Sequence, residues 1–252
     1  MTDSEYFQLM TSLLPIARQA GEAIMEVYHQ GVESQEKNDG SPVTEADRRA
    51  EAIILAGLAD LAAEIAVISE ENAESHSIRA PTRFFLVDPL DGTREFIRMD
   101  GKGAFTVNIA LIEHGVPVAG VIYAPALDEL YWGGRGHGAY FNDAQISTRT
   151  PDPSKLVALA SRSHRDEQTN QWLADNGISE TVSIGSSLKF CLVARGEADI
   201  YPRFGPTMEW DTAAGHAILC AAGGKVENPD GSEFIYGKPG YKNGAFIAKG
   251  GL

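Results

Sequence analysis

The chain has 252 residues, with 21 Lys and Arg against 35 Asp and Glu and a formal net charge of −14. At 43% hydrophobic and 22% charged residues it is a globular composition of one or two domains, not a disordered chain, and 26 glycines without a fixed period exclude collagen-like repetition. So acidic a chain is a poor partner for nucleic-acid strands, which are bound through clustered Lys and Arg; a small anion held with the help of metal ions remains a candidate ligand.

Phe7, Met10, Leu14, Ala17, Gly21, Ile24 and Tyr28 recur at steps of three and four, which draws an apolar stripe on one helix ending near Gly31, with Pro15 a candidate kink. Residues 32–42 are polar and turn-rich. A second helix is expected from Thr44, carrying Ile53, Ile54, Leu55 and Leu58, so that two helices precede any strand. Short apolar segments follow at 66–69, 84–88, 105–112, 118–124, 129–132 and 139–142, with His114-Gly115 and GGRGHG (133–138) as hairpin connections, an order that predicts an antiparallel sheet. After TPDPS (150–154) strand and helix alternate: LVALAS, a helix over 166–176, TVSI, a helix over 187–195, ADIY, and a helix from Asp211 to about Ala222. The change of pattern near 148–156 divides an N-terminal α+β subdomain (1–150), helices on a sheet, from a C-terminal α/β subdomain (151–252).

Cys191 and Cys220 are too few for a disulfide framework, and both lie in apolar helix-like stretches that predict buried thiols. The N-terminus lacks a basic region followed by an apolar run, and no window reaches the roughly 18 apolar residues of a membrane span. A soluble cytoplasmic protein is expected; any attachment to the inner membrane would be peripheral and would oppose repulsion from anionic lipid.

The densest chemical signal is FFLVDPLDGTREF, where a strand ending at Asp88 meets a turn carrying Asp91. The two carboxylates can converge, and the Leu90 carbonyl between them is a third hard oxygen. Oxygen donors without a Cys or His cluster suit Mg²⁺ and not structural zinc. Glu70-Glu71 follows another short strand, Asp211 opens a helix in MEWDTAAG, and Thr44-Glu-Ala-Asp47 reads as a capping box with Asp in place of Glu or Gln. Each of these also has an ordinary reading: a turn, a solvated loop or a helix cap. Together they could supply a two-metal centre of the kind that clamps both oxygens of a phosphoryl transfer. Trp132, Trp172 and Trp210 are scattered and read as core or rim, and no phosphate-binding P-loop, dinucleotide loop or G-x-S-x-G elbow is present.

Glu70-Glu71, Asp88 to Thr93 (DPLDGT) and Trp210 to Gly215 (WDTAAG) resemble the acid pair, D-P-[IL]-D-G-T and W-D-x-x-A-[GA] of the inositol monophosphatase superfamily. DGSPVTEAD, LVDPLDGTREFI, SRSH and GSSLKFCLVARGEADIYPRFGPTMEWD make the chain most similar to that superfamily's bacterial 3′(2′),5′-bisphosphate nucleotidase branch; Arg94-Glu95-Phe96 stands where Thr-Asn-Phe commonly follows the DGT of inositol monophosphatases. The resemblance implies an α/β layered sandwich of the αβαβα kind. It implies that Glu70, Asp88 and the Leu90 carbonyl hold one Mg²⁺ and Asp88, Asp91 and Asp211 a second, with Glu71 behind them or at a weaker third position. Asp47, paired with the Thr93 hydroxyl, would orient and help deprotonate the attacking water. Gly92 and Thr93 amides would cradle the scissile phosphate, with the helix after Asp211 facing it; Ser186, Lys189, Arg203 and His164 would form a basic rim for the second phosphate and the nucleoside.

The implied activity is hydrolysis of the 3′-phosphate of adenosine 3′,5′-bisphosphate to AMP and phosphate, with the sulfated nucleotide PAPS as a second candidate, without a covalent intermediate. That activity clears a by-product of sulfate assimilation and is sensitive to Li⁺. Inositol monophosphatase or fructose bisphosphatase activity is the alternative within the fold; a non-catalytic nucleotide and metal sensor is the alternative outside it. A small phosphorylated nucleotide is the expected partner of a monomer or homodimer.

Overall fold

A computed structural model describes residues 3–31, 34–36, 42–99, 102–161 and 166–251. Helix α1 (Asp3–Gln30) runs through Pro15 as one element, and the short hairpin β1 (Ser34–Glu36) and β2 (Pro42–Thr44) separates it from α2 (Glu45–Ala62). The expectation of two helices before any strand is therefore corrected: three-residue strands in a polar segment carry no apolar alternation to reveal them. Seven strands then build a sheet in sequence order: β3 (Ala66–Ser69), β4 (Arg83–Asp91), β5 (Thr106–Glu113), β6 (Val116–Ala124), β7 (Glu129–Gly134), β8 (Gly138–Phe141) and β9 (Ala144–Ile146), with α3 (Thr93–Arg98) inserted after β4. All neighbours pair antiparallel except β3 and β4, which are parallel. The sheet is thus mixed: residues 70–82 form the crossover that a parallel pair requires.

The second half alternates as the sequence predicts, with β10 (Val157–Ser161), α4 (Glu167–Asp175), β11 (Glu180–Ile184), α5 (Leu188–Ala194), β12 (Ile200–Arg203), β13 (Thr207–Met208) and α6 (Ala213–Ala221). Past α6, β14 (Lys225–Glu227), β15 (Lys242–Asn243) and β16 (Phe246–Lys249) follow. The five-stranded sheet has the order β11-β10-β12-β16-β14, with β16 antiparallel to both its neighbours.

Side-chain alternation explains the layering. On β4, Phe85 and Val87 face the core shared with Leu13, Ala17, Ile24 and Ile54 of α1 and α2, whereas Phe84 and Leu86 face the core shared with α5 and α6. Two close approaches fix the helices there: a Cβ on Gly21 would lie 2.5 Å from the Tyr123 ring, and one on Gly120 2.4 Å from the Ala214 carbonyl. The inner face of the second sheet, with Leu159, Tyr201, Phe246 and Ala248, closes the other side of α5 and α6, and Leu173 and Ile178 cover its outer face. The result is the αβαβα sandwich. Cys191 is buried there, but Cys220, near the end of α6, is exposed, against expectation. Among the described residues no helix is long and apolar enough to cross a membrane.

Candidate active site at the strand ends

The expected end of β4 at Asp88 is corrected: the strand continues through Pro89 and Leu90 to Asp91. Asp88 pairs with Asn108 and Asp91 with Thr106, so β4 carries one residue more than β5 between these pairs, a β-bulge at the proline. Residues three apart on a regular strand point to opposite faces. The bulge brings Asp88 and Asp91 to the same one, over α5 and α6. Gly92 then adopts φ 91°, and a Cβ there would lie 2.9 Å from the Ala104 carbonyl, so the turn into α3 needs glycine.

One carboxylate oxygen each from Glu70, Asp88 and Asp211 lies within 4.8 Å of the others. Burial first, and then the charges of Glu70, Asp91, Asp211 and Glu71, hold the Asp88 carboxyl well above its ordinary range. Burial and the charges of Asp91 and Glu70 likewise raise Asp211, whose carboxylate is anchored by the Met208 N–H at 2.7 Å. The helix opens not at Asp211 but at Ala213, with Thr212 as its N-cap, which leaves the acid in the loop before it. Such a set of oxygens, repelling one another without a divalent cation and free of His and Cys, fits a hard divalent ion of the Mg²⁺ type.

Asp91 lies outside that triad and turns toward α5, where its Oδ2 accepts the Ser187 N–H at 2.6 Å. Burial pushes its carboxyl up to about 6, against the pull of the Lys189 ammonium. Asp47 is the third residue of α2: its Oδ2 accepts the Thr44 N–H and hydroxyl, both at 2.7 Å, which completes the predicted capping box. Thr93 donates its hydroxyl to the Leu90 carbonyl at 3.2 Å, and α3 packs against β2, beside the start of α2.

A cavity of about 320 Å³ is lined by Glu70, Asp91 and Asp211 together with Lys189 and Arg203. Both cations are buried, 5% and 7% exposed. Burial lowers the Lys189 ammonium to about 8; it donates to the Ser186 and Ile184 carbonyls and lies 5.3 Å from the Tyr201 ring centroid. Arg203 donates to the Gly205 and Pro206 carbonyls, both at 3.2 Å. Ser186, at φ 47°, has a buried hydroxyl without a hydrogen-bond partner. His164 falls outside the described residues. Trp210, 4% exposed, lines the cavity beneath His76, whose ring stacks on it at 4.8 Å.

Sequence reading missed the polar chain behind this wall. Ser187 donates its hydroxyl to Asn108 Oδ1 at 2.7 Å and lies 2.8 Å from the Thr106 hydroxyl, tying α5 to β5. Polar residues at alternate positions of the apolar strand 105–112 were the available signal.

The Inositol monophosphatase family matches residues 8–250. The 3′(2′),5′-bisphosphate nucleotidase CysQ of Salmonella typhimurium is 48% identical over 235 residues, covering 90% of this chain and 94% of that one; its Escherichia coli K12 counterpart is 46% identical over the same shares. The crystal structure of CysQ from Bacteroides thetaiotaomicron superposes with a TM-score of 0.82 at 39% identity, covering 96% of this chain and 97% of that one. With Glu70, Asp88 and Asp211 of the family pattern gathered in one cluster and the match spanning nearly the whole length, the chain belongs to the inositol monophosphatase family.

Proposed function

We propose that this protein is a Mg²⁺-dependent 3′(2′),5′-bisphosphate nucleotidase that hydrolyses the 3′-phosphate of adenosine 3′,5′-bisphosphate to AMP and phosphate, with PAPS as a second substrate. Members of the inositol monophosphatase family are metal-dependent phosphatases, and the curated relatives at 46–48% identity are named for the nucleotidase activity. The observation that carries the reading is the cavity's mixed charge: Glu70, Asp91 and Asp211 line the same space as buried Lys189 and Arg203, which suits an anionic ligand held together with metal cations.

Glu70, Asp88 and the Leu90 carbonyl would hold one cation and Asp88, Asp91 and Asp211 the second, with Glu71 adding charge behind Asp88. When bound, the cations neutralise phosphate oxygens and acidify water, so the protein's own task is to place groups. Asp47 and the Thr93 hydroxyl orient the attacking water, and Asp47 accepts its proton. The Gly92 and Thr93 amides hold the scissile phosphate while the unpartnered Ser186 hydroxyl, Lys189 and Arg203, with His164, hold the far phosphate and nucleoside. No side chain acts as a nucleophile, so no covalent intermediate forms.

The test is phosphate release with Mg²⁺ from adenosine 3′,5′-bisphosphate, inositol 1-phosphate and fructose 1,6-bisphosphate side by side, with Li⁺ added to the preferred reaction. Preference for the nucleotide and inhibition by millimolar Li⁺ are expected. Preference for the inositol or fructose ester refutes the substrate assignment, and hydrolysis of none of them favours a sensor.

A further inference from the structure

We infer that Asn108 is a positioning residue: its side-chain Nδ2–H donates to the Asp88 carboxylate and so aims that carboxylate at the cations. The inference rests on the metal-dependent reading of the site. Asn108 stands on β5 directly opposite Asp88 on β4. Opposed residues of an antiparallel pair share a face, with Cβ atoms roughly 4.5–5.5 Å apart, which is within reach of a side-chain amide and a carboxylate. The face is the one α5 covers, because the Ser187 hydroxyl donates to Asn108 Oδ1 at 2.7 Å. Asn108 is 1% exposed, and its Nδ2 is buried without a hydrogen-bond partner. Folded chains leave few buried donors unpaired, so this one calls for an acceptor.

The surroundings single out Asp88 as that acceptor. Around Asn108 on its face of the sheet lie Thr106 and Ala110 along β5, Ile122 across on β6 and Asp88 across on β4. Ala110 and Ile122 are apolar, and the Thr106 hydroxyl is engaged with Ser187 Oγ at 2.8 Å. Asp88 receives the Leu90 N–H on Oδ1, and an ionised carboxylate has room for further donors. The amide is also turned the right way round. Ser187 gives its one hydroxyl proton to Asn108 Oδ1, which leaves the NH₂ end for the acid; the reverse orientation would set two oxygens against each other. A neutral donor suits this place better than a lysine, whose charge would oppose the cations: the amide fixes direction and leaves the negative charge for the metal. Ser187 completes the unit, since its own N–H holds Asp91 Oδ2 at 2.6 Å, so one residue of α5 steadies both acids of the D-P-L-D segment.

The experiment measures Mg²⁺ affinity by calorimetry for the parent, Asn108→Leu and Asn108→Ala, with melting temperatures recorded without cation, and follows the parent's Asn108 side-chain amide by NMR as Mg²⁺ is added. Affinity is expected to fall about 10- to 100-fold in both variants, the usual loss when the hydrogen-bond partner of a metal ligand is removed. In the parent, one Nδ2 proton should move downfield and exchange more slowly with solvent as the ionised cluster takes up Mg²⁺. A merely packing role lowers the melting temperature and leaves the affinity of the folded protein at its parent value. That result overturns the inference, as does an amide whose shift and exchange do not respond, and the amide alone decides if neither variant folds. A parent that binds Mg²⁺ but prefers inositol 1-phosphate refutes the proposed substrate and not this inference, whereas a parent that binds no divalent cation overturns both.

Discussion

Glu209 and Asp88 are both buried carboxylates, 0% and 1% exposed, and their surroundings are opposite. Glu209 accepts the Gly237 N–H at 2.7 Å and the Lys238 N–H at 2.9 Å, and the Lys238 ammonium stands 2.8 Å away. Asp88 accepts a hydrogen bond from the Leu90 N–H at 3.0 Å, and the charges that act on it most strongly are all negative. Among the described residues no cation pairs with it. A buried ionised acid persists only when something repays its lost hydration. For Glu209 the chain itself does so, which makes it a fastener of residues 237–238 to the loop before α6; for Asp88 the compensation has to come from outside the chain.

The sharpest way to break that contrast is to neutralise each acid in turn. Asp88→Asn should abolish divalent-cation binding, read by calorimetry, and reduce turnover on the order of 10⁴-fold, about 5 kcal/mol of transition-state stabilisation. Its cation-free stability should hold or rise, because the substitution removes a charge repelled by four neighbours. An Asp88→Asn enzyme with parental cation affinity would sink the assignment of Asp88 as a cation ligand.

Glu209→Ala should do the reverse. It leaves two backbone N–H groups and the Lys238 ammonium without their acceptor, so denaturant unfolding should show a loss of about 3–5 kcal/mol whether or not cations are present. A loss below about 1 kcal/mol would mean that water replaces the carboxylate and that Glu209 is not the fastener it resembles.

The contrast was only half legible in the sequence. Asp88, Asp91, Glu70 and Asp211 announce themselves by their places at strand ends and loop starts, and the alternation of strand and helix after residue 154 was readable from apolar periodicity. Glu209 was not, because its partners lie in a segment of turns that carries no periodicity, and the same reason hid β14, β15 and β16. The bulge at Pro89 was also hidden: D-P-L-D reads as a turn, and only the pairing of Asp91 with Thr106 shows that the strand runs on and aims both acids one way. Lys189 and Arg203 were recognised as cations, but their burial depends on how α5 and β12 meet, which is a property of the packed sheet and not of their neighbours in sequence.

The pH dependence of stability sharpens the comparison with the smallest effect. Asp91, raised to about 6 by burial, and Asp88 and Asp211, raised by burial and by the neighbouring acids, bind protons more tightly folded than unfolded. Their contribution is therefore fully present below the ordinary carboxylate range and is lost as pH rises through the folded values. Cation-free protein should accordingly lose stability as pH rises from about 4 through 6 and beyond, with the steepest fall where the cluster ionises. Saturating Mg²⁺ should reverse the trend, since it binds the ionised cluster of the folded state, adding about 2.7 kcal/mol at a hundredfold excess over its Kd. Thermal melts across this range, with and without Mg²⁺, check it. In Asp88→Asn both the fall and the rescue should shrink, whereas in Glu209→Ala both should keep the parental slope from a lower starting stability. Equal slopes in the parent and Asp88→Asn would place the titrating acids outside the cluster.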